Sequence, residues 1–170
     1  PLFVAAQEGH TELVSLLISS GAALNQGRTD DDTTPLNIAA QQGHTDIASL
    51  LIGNGAAVNQ ARTNDGATPL YIAAFQGHTE VASLLIASGA AVNKAASEDG
   101  VPPLYLAAEQ GHADMVSLLI SNGAAVNHAT TVSSSTPLYT AACNGHTMVA
   151  RLLIDGGAAV NQARRGDGLT

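Results

Sequence analysis

The chain has no tryptophan, three tyrosines, two phenylalanines and a single cysteine among 170 residues. A core without large aromatics has to be built from Leu, Ile, Val and Ala. The lone Cys143 cannot close an internal disulfide, which fits a reducing compartment and sets an intracellular, cytoplasmic location as the expectation. Charge is scarce as well: 12% of residues are charged, against roughly 25% in ordinary soluble domains. The balance is −8, which argues against nucleic acid as a partner, because displacing counterions from phosphates needs a basic face. No apolar run approaches the ~18–20 residues of a membrane span and no signal-peptide pattern opens the chain, so no membrane partner is expected. There is no phosphate-cradling glycine loop and no nucleophile motif. The expectation is a protein that is not an enzyme and takes no cofactor or metal.

What the sequence does have is repetition. The phrase "PLFVAAQEGHTELVSLLISSGAALN" returns at residues 35, 69, 103 and 137, so five units of 34 residues (1–34, 35–68, 69–102, 103–136, 137–170) account for the whole chain as one domain. Every copy carries Pro-Leu, Ala-Ala, Gly-His, Leu-Leu-Ile and Gly-Ala-Ala, with Asn two residues later. A fixed period of this size signals a solenoid of stacked units, each too small to bury its apolar face alone. In "TPLYIAAFQGH" (68–78), Thr68 is a good N-cap and Pro69 suits the first helical position. Leu70, Ala73 and Ala74 then share a face, and Gly77 can end the helix. In "HTEVASLLIASG" (78–89), Val81, Leu84 and Leu85 repeat the helical spacing and Gly89 ends it. Glu12, Asp46, Glu80 and Asp114 open the second helix of their copies, where the macrodipole favours negative charge. The polar segment "AAVNKAASEDGVP" has no helical period, and its Asp-Gly is a hairpin-turn signal. Each unit therefore reads helix, tight turn, helix, hairpin-like loop.

The pattern "ATPLYIAAFQGHTEVASLLIASGAAVN" (67–93) resembles the ankyrin repeat, and the resemblance covers the entire chain. It implies an all-α solenoid of stacked antiparallel helix pairs with hairpin fingers projecting from one edge. It also implies a concave groove, lined by fingers and first helices, that receives protein partners. Three features depart from the family pattern. The period exceeds the usual one by a residue, the histidine of Thr-Pro-Leu-His is replaced by Phe3, Asn37, Tyr71, Tyr105 and Tyr139, and Gly-Ala-Asp becomes Gly-Ala-Ala. The rival tetratricopeptide solenoid shares the period, but it has longer helices and a tryptophan-leucine-glycine signature missing here.

The recurrent Gly-His pairs (His10, His44, His78, His112, His146) raise the question of metal or catalysis. Packed helices lie ~8–10 Å apart, whereas zinc–nitrogen bonds are ~2.0–2.1 Å, so histidines one repeat apart cannot share an ion. Each imidazole is expected instead at the turn between helices, bonding backbone of its own or the next unit. Cys143 and His146 lack an orienting third group for thiol chemistry. Asp30-Asp31-Asp32 lacks the alternating ligands of a calcium loop and reads as a solvated finger tip.

If shared residues build the scaffold, recognition falls to positions that differ between copies: the finger tips "RTDDDT", "RTNDGA", "ASEDGV" and "TTVSSS", and the pairs ending each first helix. Phe3, Tyr71, Tyr105 and Tyr139 hold the third position of their repeats and Phe75 the seventh, so all share one face, and such aromatics are favoured interface anchors. The alternative for the tyrosines is that they seal gaps between neighbouring first helices. The candidate protein-binding residues are thus Gln41, Gln42, Tyr71, Phe75, Gln76, Tyr105, Glu109, Gln110 and Tyr139 on helices, with Arg62, Asn64, Asp65, Glu98 and Asp99 on fingers. The leading expectation is a non-enzymatic module that binds a partner protein through groove and fingers; the alternative is a spacer segment with no dedicated partner. The first repeat is the most acidic and "QARRGDG" (162–168) is basic, a distribution read as ordinary surface variation. Because terminal repeats need polar caps and neither end has one, the chain is expected to be a segment of a longer array, or else to associate weakly end to end.

Overall fold

Residues 1–96 and 99–162 are described in the computed structural model, and their regular structure is ten α-helices in five pairs. The pairs are α1 (Leu2–Gln7) with α2 (Thr11–Ser19), α3 (Pro35–Gln42) with α4 (Thr45–Gly53), and α5 (Pro69–Gln76) with α6 (Thr79–Ala87). They continue with α7 (Pro103–Gln110) and α8 (Ala113–Ser121), then α9 (Pro137–Cys143) and α10 (Thr147–Asp155). First helices pack on one another in a row, second helices form a parallel row, and no β-strand is present among the described residues.

The helix boundaries follow the punctuation of the sequence. Thr34, Thr68 and Thr136 each accept the backbone N–H of the third helical residue at 3.2 Å, with proline next to them at the first helical position. Pro102 holds this place in the fourth copy and offers no such cap. Asn37 makes the third helix exceptional: its carboxamide oxygen accepts from Thr34 N at 2.9 Å, closing a capping box, and its amide reaches Gln60 O at 3.4 Å. The second helices end in one recurring arrangement. Gly89, at φ +89°, donates to Ile86 O at 3.0 Å while Ala90 donates to Leu85 O at 2.9 Å. This is the Schellman ending, which needs a left-handed residue and brings an apolar contact behind it. The same two bonds close at Gly21, Gly55, Gly123 and Gly157, so Leu-Leu-Ile and Gly-Ala-Ala are two halves of a single stop signal.

Between the rows runs a continuous core without a single centre. Leu36, Leu70 and Leu104 of the first helices and Leu51, Leu85, Leu119 and Leu153 of the second are at most 1% exposed, and the paired alanines between them let the helices approach closely. Truncating one such leucine to alanine costs about 2–5 kcal/mol.

Asparagine ties one pair to the next. Asn59 accepts from Ala91 N at 2.8 Å and donates to Gly89 O at 2.9 Å, one repeat further on. Asn93 does the same with Ala125 N and Gly123 O, and Asn127 with Ala159 N and Gly157 O, at 2.7 to 3.0 Å. The fingers are short hairpin-like turns. Arg62 N donates to Ala67 O and Gly66 N to Arg62 O, both at 3.0 Å, with Gly66 at φ +72°. Asp32 and Ser134 occupy the equivalent left-handed position in the first and fourth fingers, at φ +55° and +51°. Neighbouring fingers are joined by Thr63 N to Asp31 O and by Thr131 N to Asp99 O, at 3.0 and 2.9 Å.

Asn93→Ala removes two bonds across one seam and should cost about 1–3 kcal/mol. Asn122→Ala, which removes a bond to Leu118 O inside a single helix end, should cost less. Urea denaturation of both variants checks this; equal losses would mean that the seam bonds carry no special weight.

Candidate protein-binding site

The histidines belong to the seam between repeats. His44 Nε2 lies 3.2 Å from Gln7 O, His78 Nε2 3.1 Å from Gln41 O, His112 Nε2 3.1 Å from Phe75 O, and His146 Nε2 2.9 Å from Glu109 O. A carbonyl only accepts, so Nε2 carries the proton and donates. The bond goes to the preceding repeat, not to the imidazole's own or the next one as the sequence suggested. The reason is visible in the glycine before each ring: a Cβ on Gly77 would lie 2.8 Å from His112 Cε1, so the missing side chain is the seat into which the next histidine packs. Gly77 also stands at φ +78°, and both requirements select glycine.

Other reactive-looking groups are likewise accounted for locally. Cys143 is exposed, and the imidazole of His146 is engaged with Glu109 O. In the acidic first finger Arg28 pairs with Asp30, and Asp31 accepts from Thr33 N at 3.0 Å. No group of three or more His, Cys, Asp or Glu side chains is placed to hold a metal ion among the described residues. No helix there is long and apolar enough to cross a membrane.

Some of the candidate residues line a cleft. A cleft of about 330 Å³ opens between α5, α7 and the third and fourth fingers, lined by Tyr71, Tyr105, Leu106 and Glu109 from the helices and by Asp99, Val101, Thr130, Val132 and Ser133 from the fingers. Four of the candidate residues thus meet in one place. Tyr71 and Tyr105 are half-buried, and Tyr71 packs against Ala67, Ile72 and Ala96. Burial, followed by the nearby carboxylates of Asp65, Glu109 and Asp99, pushes the Tyr71 phenol above its ordinary range, with Arg62 opposing. Phe75, one turn further along α5, is 44% exposed.

The remaining candidates lie outside this cleft. Gln42, Gln76 and Gln110 are exposed at the ends of their helices, Gln41 is half-buried, and Asn64 is exposed at its finger tip. Arg62 grips Asp65 through two nitrogens, and Asp65 also accepts from Ala67 N at 3.0 Å, so this pair shapes its own finger. Tyr139 lines a separate depression of about 590 Å³ with Leu138, Ala142 and Cys143. Glu98 lies outside the described residues, as does most of the basic segment 162–168. Val132 belongs to the finger tip "TTVSSS" but is not among the candidates singled out from the sequence. It is 77% exposed, and the signal for it was a valine alone in an otherwise polar finger tip.

A family model described as ankyrin repeats, three copies, matches residues 2–96 and again 89–164. No curated protein matches the chain.

Gly77→Ala combines a left-handed alanine, costing about 1–2 kcal/mol, with a contact against His112. His112→Ala alone should cost about 1 kcal/mol for its lost bond, and it should relieve part of the Gly77→Ala loss. The double variant should therefore be more stable than the sum of the single losses by about 0.5 kcal/mol or more, while added zinc leaves every melting temperature unchanged. Strict additivity, or stabilisation by zinc, would overturn the role assigned to the histidines.

Proposed function

The chain belongs to the ankyrin-repeat family, and from that premise we propose that it is a non-enzymatic module that grips a partner protein along the groove floored by α3, α5 and α7 and walled by the fingers. Repeats of this family generally serve protein–protein interaction and are typically non-enzymatic. The observation that supports this reading is the convergence on one cleft of Tyr71, Tyr105 and Glu109, at positions that vary between copies, with Asp99, whose position is Asp in four of the five. Residues needed for stacking recur in every repeat, whereas the helix residues lining the cleft do not. Loops and faces held on a rigid scaffold are the usual home of recognition.

In this reading Phe75 is the anchor beside the cleft. A phenylalanine 44% exposed on a face otherwise occupied by Gln7, Gln41, Glu109 and Cys143 gains little from its own fold and much from being covered. Tyr71 and Tyr105 serve twice, closing the gap between adjacent first helices and lining the groove. The five repeats are taken as one domain. A spacer without a dedicated partner would have no use for apolar side chains at Phe75 and Val132.

Phe75→Ala should weaken partner capture by about tenfold or more, as expected of an interface anchor, while costing no more than about 1 kcal/mol of stability for its covered part. Proximity labelling or pull-down with the wild-type chain and this variant, alongside thermal melts, measures both. A partner profile unaffected by Phe75→Ala and by finger substitutions would favour the spacer, and a large stability loss would place the ring in the core.

A further inference from the structure

The cleft between the third and fourth fingers also says what kind of side chain it suits. This step rests on the groove being the binding face. Tyr71 and Tyr105 supply aromatic walls, Val132 an apolar lip, and Asp99 and Glu109 the charge. Among the described residues the ion pairs are Arg28–Asp30 and Arg62–Asp65, so neither Asp99 nor Glu109 has a cationic partner there. Among the described residues the Glu109 carboxylate accepts one long hydrogen bond, of 3.5 Å from Gln110 Nε2.

We propose that this cleft receives an arginine side chain carried on an extended segment of a partner protein, with the guanidinium stacked against Tyr105 and Tyr71 and its N–H groups directed at Glu109 and Asp99. Three comparisons select this occupant. An acidic segment would meet two unneutralised carboxylates. An apolar plug would strip water from those carboxylates and return nothing, a cost of several kcal/mol per buried charge. A lysine would satisfy the charge, but its compact ammonium uses the aromatic faces less well than a planar guanidinium, which stacks and presents a fork of donors at once. The volume, about 330 Å³, has room for one long side chain and its flanking backbone but not for a folded element.

The probe is a library of random twelve-residue peptides displayed on phage and selected against the full chain, with binders measured as soluble peptides. Enriched peptides should carry an arginine whose change to alanine weakens binding about tenfold or more. Glu109→Gln and Asp99→Asn should each weaken the same peptides by a similar factor, as for charge-assisted bonds to a desolvated partner, and Arg→Lys in the peptide should recover only part of the loss. Binders that lose affinity on Phe75→Ala or Tyr105→Ala but need no basic residue, or that ignore both carboxylate substitutions, would overturn the arginine assignment and leave the groove standing. Selection that yields only binders indifferent to Phe75, Tyr105 and Val132 would overturn the groove itself.

Discussion

Everything in this molecule depends on the contact between one repeat and the next. No helix pair has a core of its own: the fully buried leucines lie between pairs as much as within them, and a unit of this size buries too little to fold alone. Apolar contact is tolerant of small shifts, so it cannot by itself set a constant step. The polar bonds do that. Asn59, Asn93 and Asn127 each span the seam with both donor and acceptor, and the histidines of the Gly-His pairs from the second repeat onward reach back to a carbonyl of the preceding first helix. Both are directional, and both depend on backbone groups that a helix end leaves unpaired.

That choice of acceptor has a consequence for function. The histidine bonds the carbonyl of Gln7, Gln41, Phe75 or Glu109, never the side chain. Every residue type offers the same carbonyl, so the seam is indifferent to what projects from that position. The column can therefore carry an amide, an aromatic ring or a carboxylate at no cost to the stack. The fingers follow the same logic. Backbone bonds link Thr63 to Asp31 and Thr131 to Asp99, so the link between fingers does not depend on the side chains at those positions.

Much of the architecture was legible because it is written in rules of backbone bonding. Thr-Pro marked helix starts, Gly-Ala-Ala marked helix stops, and the period gave the stack. The direction of the histidine bond was not legible: sequence distance places His78 nearest its own turn, and only the three-dimensional step brings Gln41 O within 3.1 Å. The cleft was legible in part. Tyr71, Tyr105 and Glu109 follow from helical spacing on one face, but Asp99 meets them only because the third finger lines the same cleft as α5 and α7. Conversely, Arg62 and Asp65 looked like recognition residues and are occupied with each other, a pairing across a tight turn that composition cannot reveal. Asn37 looked like a loss of the family's histidine and turns out to close a capping box of its own.

The uneven placement of the aromatic residues is best understood against this uniform frame. A scaffold whose fingers are already cross-linked has little left to order when a partner arrives, so contacts on it are not discounted by the freezing of loops. On such a surface a few side chains decide affinity. The first two repeats present Phe3 and Asn37 at the position where the later ones present tyrosine, and Asn37 is fully buried while Phe3 lies 5.7 Å from the Arg28 guanidinium. Both are turned to local structure. From the third repeat onward the same position holds half-buried tyrosines, with Phe75 and Val132 exposed beside them. The stack is periodic throughout, but the groove is not, and the break in its lining falls between the second and third repeats.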